Sequence, residues 1–118
     1  MRTMRRARLL PLALIGALAA CVGPGRGDRG PEFVGRPLRV EAANGALSTL
    51  FLRPDGSVEA RFNGNATEGR WEFREGMLCY FWKNGSYREC WPHEAPFEPG
   101  RTETVRSDRG NVVKVTME

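Results

Sequence analysis

From residue 38 onward the chain alternates between apolar and polar side chains. Leu38 and Val40 stand beside Arg39 and Glu41, and Ala43-Asn44-Gly45 breaks the run. Leu47 to Arg53 follows, ended by Pro54-Asp55-Gly56. Val58, Ala60 and Phe62 alternate with Glu59 and Arg61 up to Asn63-Gly64-Asn65. Trp71 and Phe73 alternate with Arg70, Glu72 and Arg74 before Glu75-Gly76. Met77 to Trp82 and Tyr87 to Trp91 flank Asn84-Gly85. After a proline-rich loop, Pro92 to Gly100, the runs Thr102 to Arg106 and Val112 to Met117 flank Asp108-Arg109-Gly110. A period of two sends successive side chains to opposite faces of a strand, and the breaks between runs are hairpin signals. No helical period competes with it. The pattern predicts about eight short antiparallel strands joined as a meander.

An open meander leaves two unpaired edges and one apolar face in water. Curling it shut pairs the edges and buries the inward side chains. The expected fold is therefore all-β: a small up-and-down barrel, closed or partly closed and lipocalin-like in architecture, with its first and last strands meeting. A two-sheet sandwich is the alternative. The body, residues 32–118, is small enough that its core is thin, so a covalent staple would help it.

Cys79 and Cys90 supply a candidate staple. They lie at equal distances from Asn84-Gly85, so a two-residue turn there sets them opposite each other. Counting outward from a Lys83–Ser86 pair places them at a hydrogen-bonded position, with Cα atoms about 5.5 Å apart. That separation suits a disulfide. A longer turn would shift the register. A metal or redox role fits poorly, because the spacing is ten residues and the chain has one histidine.

The same register divides the hairpin into two faces. Leu78, Tyr80, Trp82, Tyr87, Glu89 and Trp91 share one face; Cys79, Phe81, Arg88 and Cys90 share the other. If Glu75-Gly76 is a two-residue turn, Trp71 pairs with Tyr80 and Phe73 with Leu78, and the aromatic face points inward. A three-residue turn over Arg74 to Gly76 would reverse the faces. The candidate lumen residues are therefore Trp71, Tyr80, Trp82, Tyr87, Glu89 and Trp91. An inward Glu89 is either a polar contact in a ligand cavity or a rim residue reaching water, since a buried carboxylate needs a partner.

The first 20 residues have a different character. Arg2, Arg5, Arg6 and Arg8 precede an apolar run, Leu9 to Ala20, broken only by Pro11 and Gly16. Basic, then apolar, then small residues is the order of a secretory signal. The run is too short for a transmembrane helix, which needs about 20 apolar residues. The segment also carries the charge. The chain has 18 Lys+Arg against 14 Asp+Glu; four of the 18 lie before residue 21 with no acid among them, leaving 14 against 14. The basic excess therefore belongs to the export signal and gives no footprint for nucleic acid.

Leu18-Ala19-Ala20-Cys21 resembles the lipobox of bacterial lipoproteins. The resemblance implies cleavage after Ala20, acylation of Cys21 and attachment to an envelope membrane. In such lipoproteins an aspartate after the cysteine signals inner-membrane retention. Val22 stands there instead, which implies the outer membrane. Residues 21–31 would then be an acylated cysteine and a Gly/Pro tether. The pattern Asp55-Gly56, Gly69-Arg70-Trp71, Leu78-Cys79, Trp82, Cys90 resembles small exported proteobacterial proteins, which implies an envelope β-domain and no specific activity. Lysozyme-inhibiting lipoprotein barrels are similar in size and architecture, but this chain lacks their Ser-Ala-Ser-Gly loop.

Catalytic chemistry is sparse. His93 sits in Pro92-His93-Glu94 at the start of a loop and reads as solvated, and no serine lies in a nucleophile motif. No phosphate-binding glycine loop is present. The reading is a non-enzymatic protein with no cofactor and no metal. Two functions are weighed: an interaction or inhibitor module meeting another envelope protein, or a small-ligand barrel with an aromatic lumen. Trp71, Phe73, Tyr80, Trp82, Tyr87 and Trp91 suggest a filled interior, which favours the interaction module. A void below about 300 Å³ would be too small for an ordinary ligand pocket.

Overall fold

The computed structural model of the chain describes residues 30–118; the expected export signal, Cys21 and most of the expected tether lie outside them. Eight strands follow in order: β1 (Pro37–Ala42), β2 (Leu47–Leu52), β3 (Ser57–Phe62), β4 (Asn65–Arg74), β5 (Met77–Trp82), β6 (Tyr87–Pro92), β7 (Thr102–Arg106) and β8 (Val112–Met117). All pairings are antiparallel, in the sheet order β6-β5-β4-β3-β2-β1-β8-β7. Each strand pairs with the next in sequence except β6 and β7, and β8 returns to β1 through Val40↔Val115 and its neighbours. The result is the expected up-and-down barrel, nearly closed, with one seam between β6 and β7.

Hairpin chemistry sets the register. Glu75 and Gly76 both take positive φ (54° and 77°), a conformation that two-residue hairpin turns require. Trp71 thus faces Tyr80 and Phe73 faces Leu78, and the aromatic face is inward. β4 starts five residues earlier than the apolar alternation indicates. Asn63-Gly64 is itself a tight turn, so Asn65 pairs directly with Phe62. Residues 65–68 are exposed throughout, because this part of the strand overhangs the barrel rim. Alternation is invisible where neither face is buried.

Cys79 and Cys90 face each other and form a disulfide on the outer wall. Their position in the ladder differs from expectation. Lys83 takes positive φ (53°) beside Asn84 (56°) and Gly85 (87°), and Ser86 is helical, so neither Lys83 nor Ser86 joins the ladder. The first rung is Trp82↔Tyr87, which inverts the alternation of hydrogen-bonded and open rungs. Cys79↔Cys90 is an open rung, with Cα atoms 3.9 Å apart. Cys90 accordingly points its N–H and C=O away from β5, toward the seam.

That seam is held by the β7–β8 turn. The Asp108 amide donates to the Cys90 carbonyl at 2.9 Å, and the Cys90 amide donates to Asp108 Oδ1 at 2.9 Å. Arg109 Nε donates to the Arg88 carbonyl at 2.9 Å.

The core fills one end of the barrel. Leu38, Leu52, Val58, Leu78, Val115 and Met117 are buried there, and Phe33 caps them. The segment before β1 turns on itself (Val34 N–H to Pro31 C=O, 3.1 Å) and inserts Phe33 edge-on between Trp71 and Phe73. The proline-rich loop crosses the same end and buries Phe97 and His93. His93, expected to be solvated from its loop setting, is therefore buried. Its Nε2 lies 2.7 Å from Glu32 Oε2, which also accepts the Phe97 amide at 3.0 Å. This end is closed.

Candidate functional site

The opposite end is hollow, because its two walls differ in bulk. β5 and β6 contribute Tyr80, Trp82 and Trp91, whereas β1–β3 face them with Ala42, Ser48 and Ala60. Side chains that small do not span the barrel. An open cup of about 360 Å³ remains, with Val40 and Leu50 toward its base and Val113, Asn111 and Glu89 on the seam side. The expectation of a filled lumen fails here. Counting aromatics on β4–β6 overlooks the small inward residues across from them.

Ring packing fixes the aromatic wall. Tyr80 and Trp91 meet edge to face with centroids 4.8 Å apart. Tyr80 and Trp82 lie nearly parallel (15°) at 6.0 Å. Gly69 makes room for this arrangement. A Cβ there would stand 2.5 Å from Trp82 Cε3 and 2.6 Å from the Phe81 carbonyl oxygen. The glycine of Gly69-Arg70-Trp71 is thus a seat for the Trp82 ring.

Two polar groups stand among these rings. Glu89 pairs with Tyr80 across the β5–β6 ladder and accepts a 2.7 Å hydrogen bond from Asn111 Nδ2. Asn111 is itself held in the β7–β8 turn, where its amide donates to Ser107 Oγ at 3.2 Å and its carbonyl accepts the Ser107 amide at 2.8 Å. Tyr80 is only 2% exposed, and its hydroxyl finds no hydrogen-bond partner among the described residues. Burial, reinforced by the nearby Glu89, holds the phenol well above its ordinary range, so it stays protonated. An unpartnered buried hydroxyl costs about 1–3 kcal/mol.

Four of the six lumen residues read from the sequence therefore line the cup: Tyr80, Trp82, Glu89 and Trp91. Trp71 serves the closed end. It packs on Phe33, and its Nε1 donates to the Arg53 carbonyl at 2.8 Å, fixing the β2–β3 turn. Tyr87 carries the Arg109 guanidinium on its ring at 4.2 Å and does not line the cup. The sequence reading missed Ala42, Ser48, Ala60 and Asn111. The first three were legible as small residues at inward positions. Asn111 was not, because its place follows from the turn that holds the seam.

A larger furrow, about 540 Å³, runs along the outer wall past Glu68, Arg70, Glu72 and Phe81. It lies on the charged exterior and has no buried unpartnered side-chain atom, so the cup is the stronger candidate. Among the described residues no group of three His, Cys, Asp or Glu is placed to share a metal ion. No described helix is long and apolar enough to cross a membrane. Comparisons with protein-family models, with curated proteins and with solved structures give no match.

Proposed function

We propose that this chain is an envelope lipoprotein, acylated at Cys21, whose barrel binds a small, mostly apolar ligand in its open end. The cup carries the reading. Its volume, about 360 Å³, lies within the range of ordinary ligand pockets. Its lining is aromatic and aliphatic with a few convergent polar atoms, the usual composition of such sites. The lipobox resemblance supports the anchor, since several acyl chains at about 0.8 kcal/mol per methylene hold a protein on a bilayer. Val22 favours the outer membrane.

The second reading is a protein partner seated on the rim. Leu47 and Phe62 favour it: both lie at the open end and are 55% and 46% exposed. Either role would be played without catalysis by the chain itself.

Native mass spectrometry of the full chain released from envelopes separates the two. The ligand reading expects lipid on Cys21, a Cys79–Cys90 linkage, and a small-molecule adduct that Ala60→Leu diminishes by filling the cup. A reproducible protein crosslink that survives Ala60→Leu, with no small adduct, would assign the chain to the interaction reading instead.

A further inference from the structure

The chemistry of the cup narrows its ligand. Among the described residues that line it, Glu89 alone is charged, and no lysine or arginine is among them. Arg109, in the adjoining turn, is engaged by the Tyr87 ring and the Arg88 carbonyl, and it makes no ion pair with Glu89. Glu89 accepts one hydrogen bond from Asn111, whereas a carboxylate has about four acceptor sites. Tyr80, Trp82 and Trp91 line the cup, and a cation that reaches the face of an aromatic ring is attracted by its quadrupole.

We infer that the cup takes a protonated amine on an apolar, preferably aromatic, body, its N–H groups donated to the Glu89 carboxylate. The inference rests on the ligand-binding reading above and adds the charge of the ligand to it. An ammonium has three donors and no acceptor. It suits a site with free acceptor capacity on a carboxylate among aromatic rings. A carboxylate ligand would meet Glu89 as a like charge, and an alcohol would forgo the charge-assisted bond. Such bonds are about twice as strong as neutral ones.

The test is calorimetric titration of the full chain in lipid nanodiscs, with empty nanodiscs subtracted. Three probes of similar shape are compared: phenethylamine, phenethyl alcohol and phenylacetate. The amine should bind about tenfold more tightly than the alcohol, as expected for a hydrogen bond to a charged group, and phenylacetate should be the weakest. Glu89→Gln should bring the amine down to the affinity of the alcohol while leaving the alcohol unchanged. Glu89→Asp keeps the charge but draws it back by one methylene and should weaken the amine about three- to tenfold, which also covers a Glu89→Gln variant that fails to fold. Equal binding of amine and alcohol, or an amine preference that survives Glu89→Gln, overturns the inference and leaves the pocket standing. Absence of saturable binding by all three probes to folded protein overturns the inference together with the ligand-binding reading.

Discussion

Asp108 and Cys90 clasp each other across the only open seam of the barrel. The Asp108 backbone N–H donates to the Cys90 carbonyl, and Asp108 Oδ1 accepts the Cys90 N–H, both at 2.9 Å. An edge strand that lacks a neighbour presents unpaired N–H and C=O groups. Here one aspartate stands in for the missing neighbour at the residue that also carries the disulfide. Asp108→Ala should leave the buried Cys90 amide unpaired and cost about 1–3 kcal/mol. Hydrogen exchange checks it: the Cys90 amide should lose protection while amides in β2 and β3 change only with global stability.

The disulfide closes a loop of a dozen residues around the Lys83–Ser86 turn. In the chain-entropy account such a loop contributes about 2–3 kcal/mol. For a domain of this size that corresponds to a fall of about 10–20 °C in melting temperature. Replacing both cysteines by serine should produce that fall with the barrel's circular-dichroism spectrum retained at low temperature. A double variant that melts like the parent would show the hairpin to be fully ordered by its turn and packing.

Gly69→Ala tests how tightly the cup wall is built. The added methyl would meet the Trp82 ring and the Phe81 carbonyl at about 2.5 Å. The ring must move, because the opposing atom on the other side is backbone. The expected cost is about 1–3 kcal/mol, typical of overpacking, read as a lower denaturant midpoint with a shifted tryptophan emission. A neutral outcome would mean that Trp82 is free to leave its position over the cup.

These cases show where the sequence was legible. All eight strands, the β1–β8 closure, the inward aromatic face and the opposition of Cys79 and Cys90 follow from alternation and from turn residues such as Glu75-Gly76. The inverted rung at Cys79 did not, because it depends on Lys83 adopting a positive φ that its side chain does not advertise. The closed end was hidden for another reason. Phe33 and His93 lie in short irregular segments without a period, and what buries them is their mutual packing with Trp71, Phe73 and Phe97. The cup escaped notice because it is made by small residues, whose importance shows only once the register sets Ala60 and Ser48 opposite the tryptophans.

Glu32→Ala addresses the closed end. Glu32 Oε2 serves both His93 Nε2 and the Phe97 amide. Its loss strands two donors, and since water reaches part of the Glu32 side chain the cost should be about 1–2 kcal/mol. The change should free the segment before β1, seen as faster proteolysis near Phe33, without altering ligand affinity at the far end. A loss of affinity would mean that the two ends are coupled.

The central claim is that ligand enters the open end, and the three tryptophan indoles report on it directly. Trp82 and Trp91 line the cup, whereas Trp71 lies at the closed end with its Nε1 bonded to the Arg53 carbonyl. Proton–nitrogen correlation spectra are to be recorded during titration with phenethylamine and, in parallel, phenethyl alcohol. The account predicts that the Trp82 and Trp91 indole signals move together to saturation while Trp71 stays in place. Movement of Trp71 alone, or of no indole at all, would contradict it.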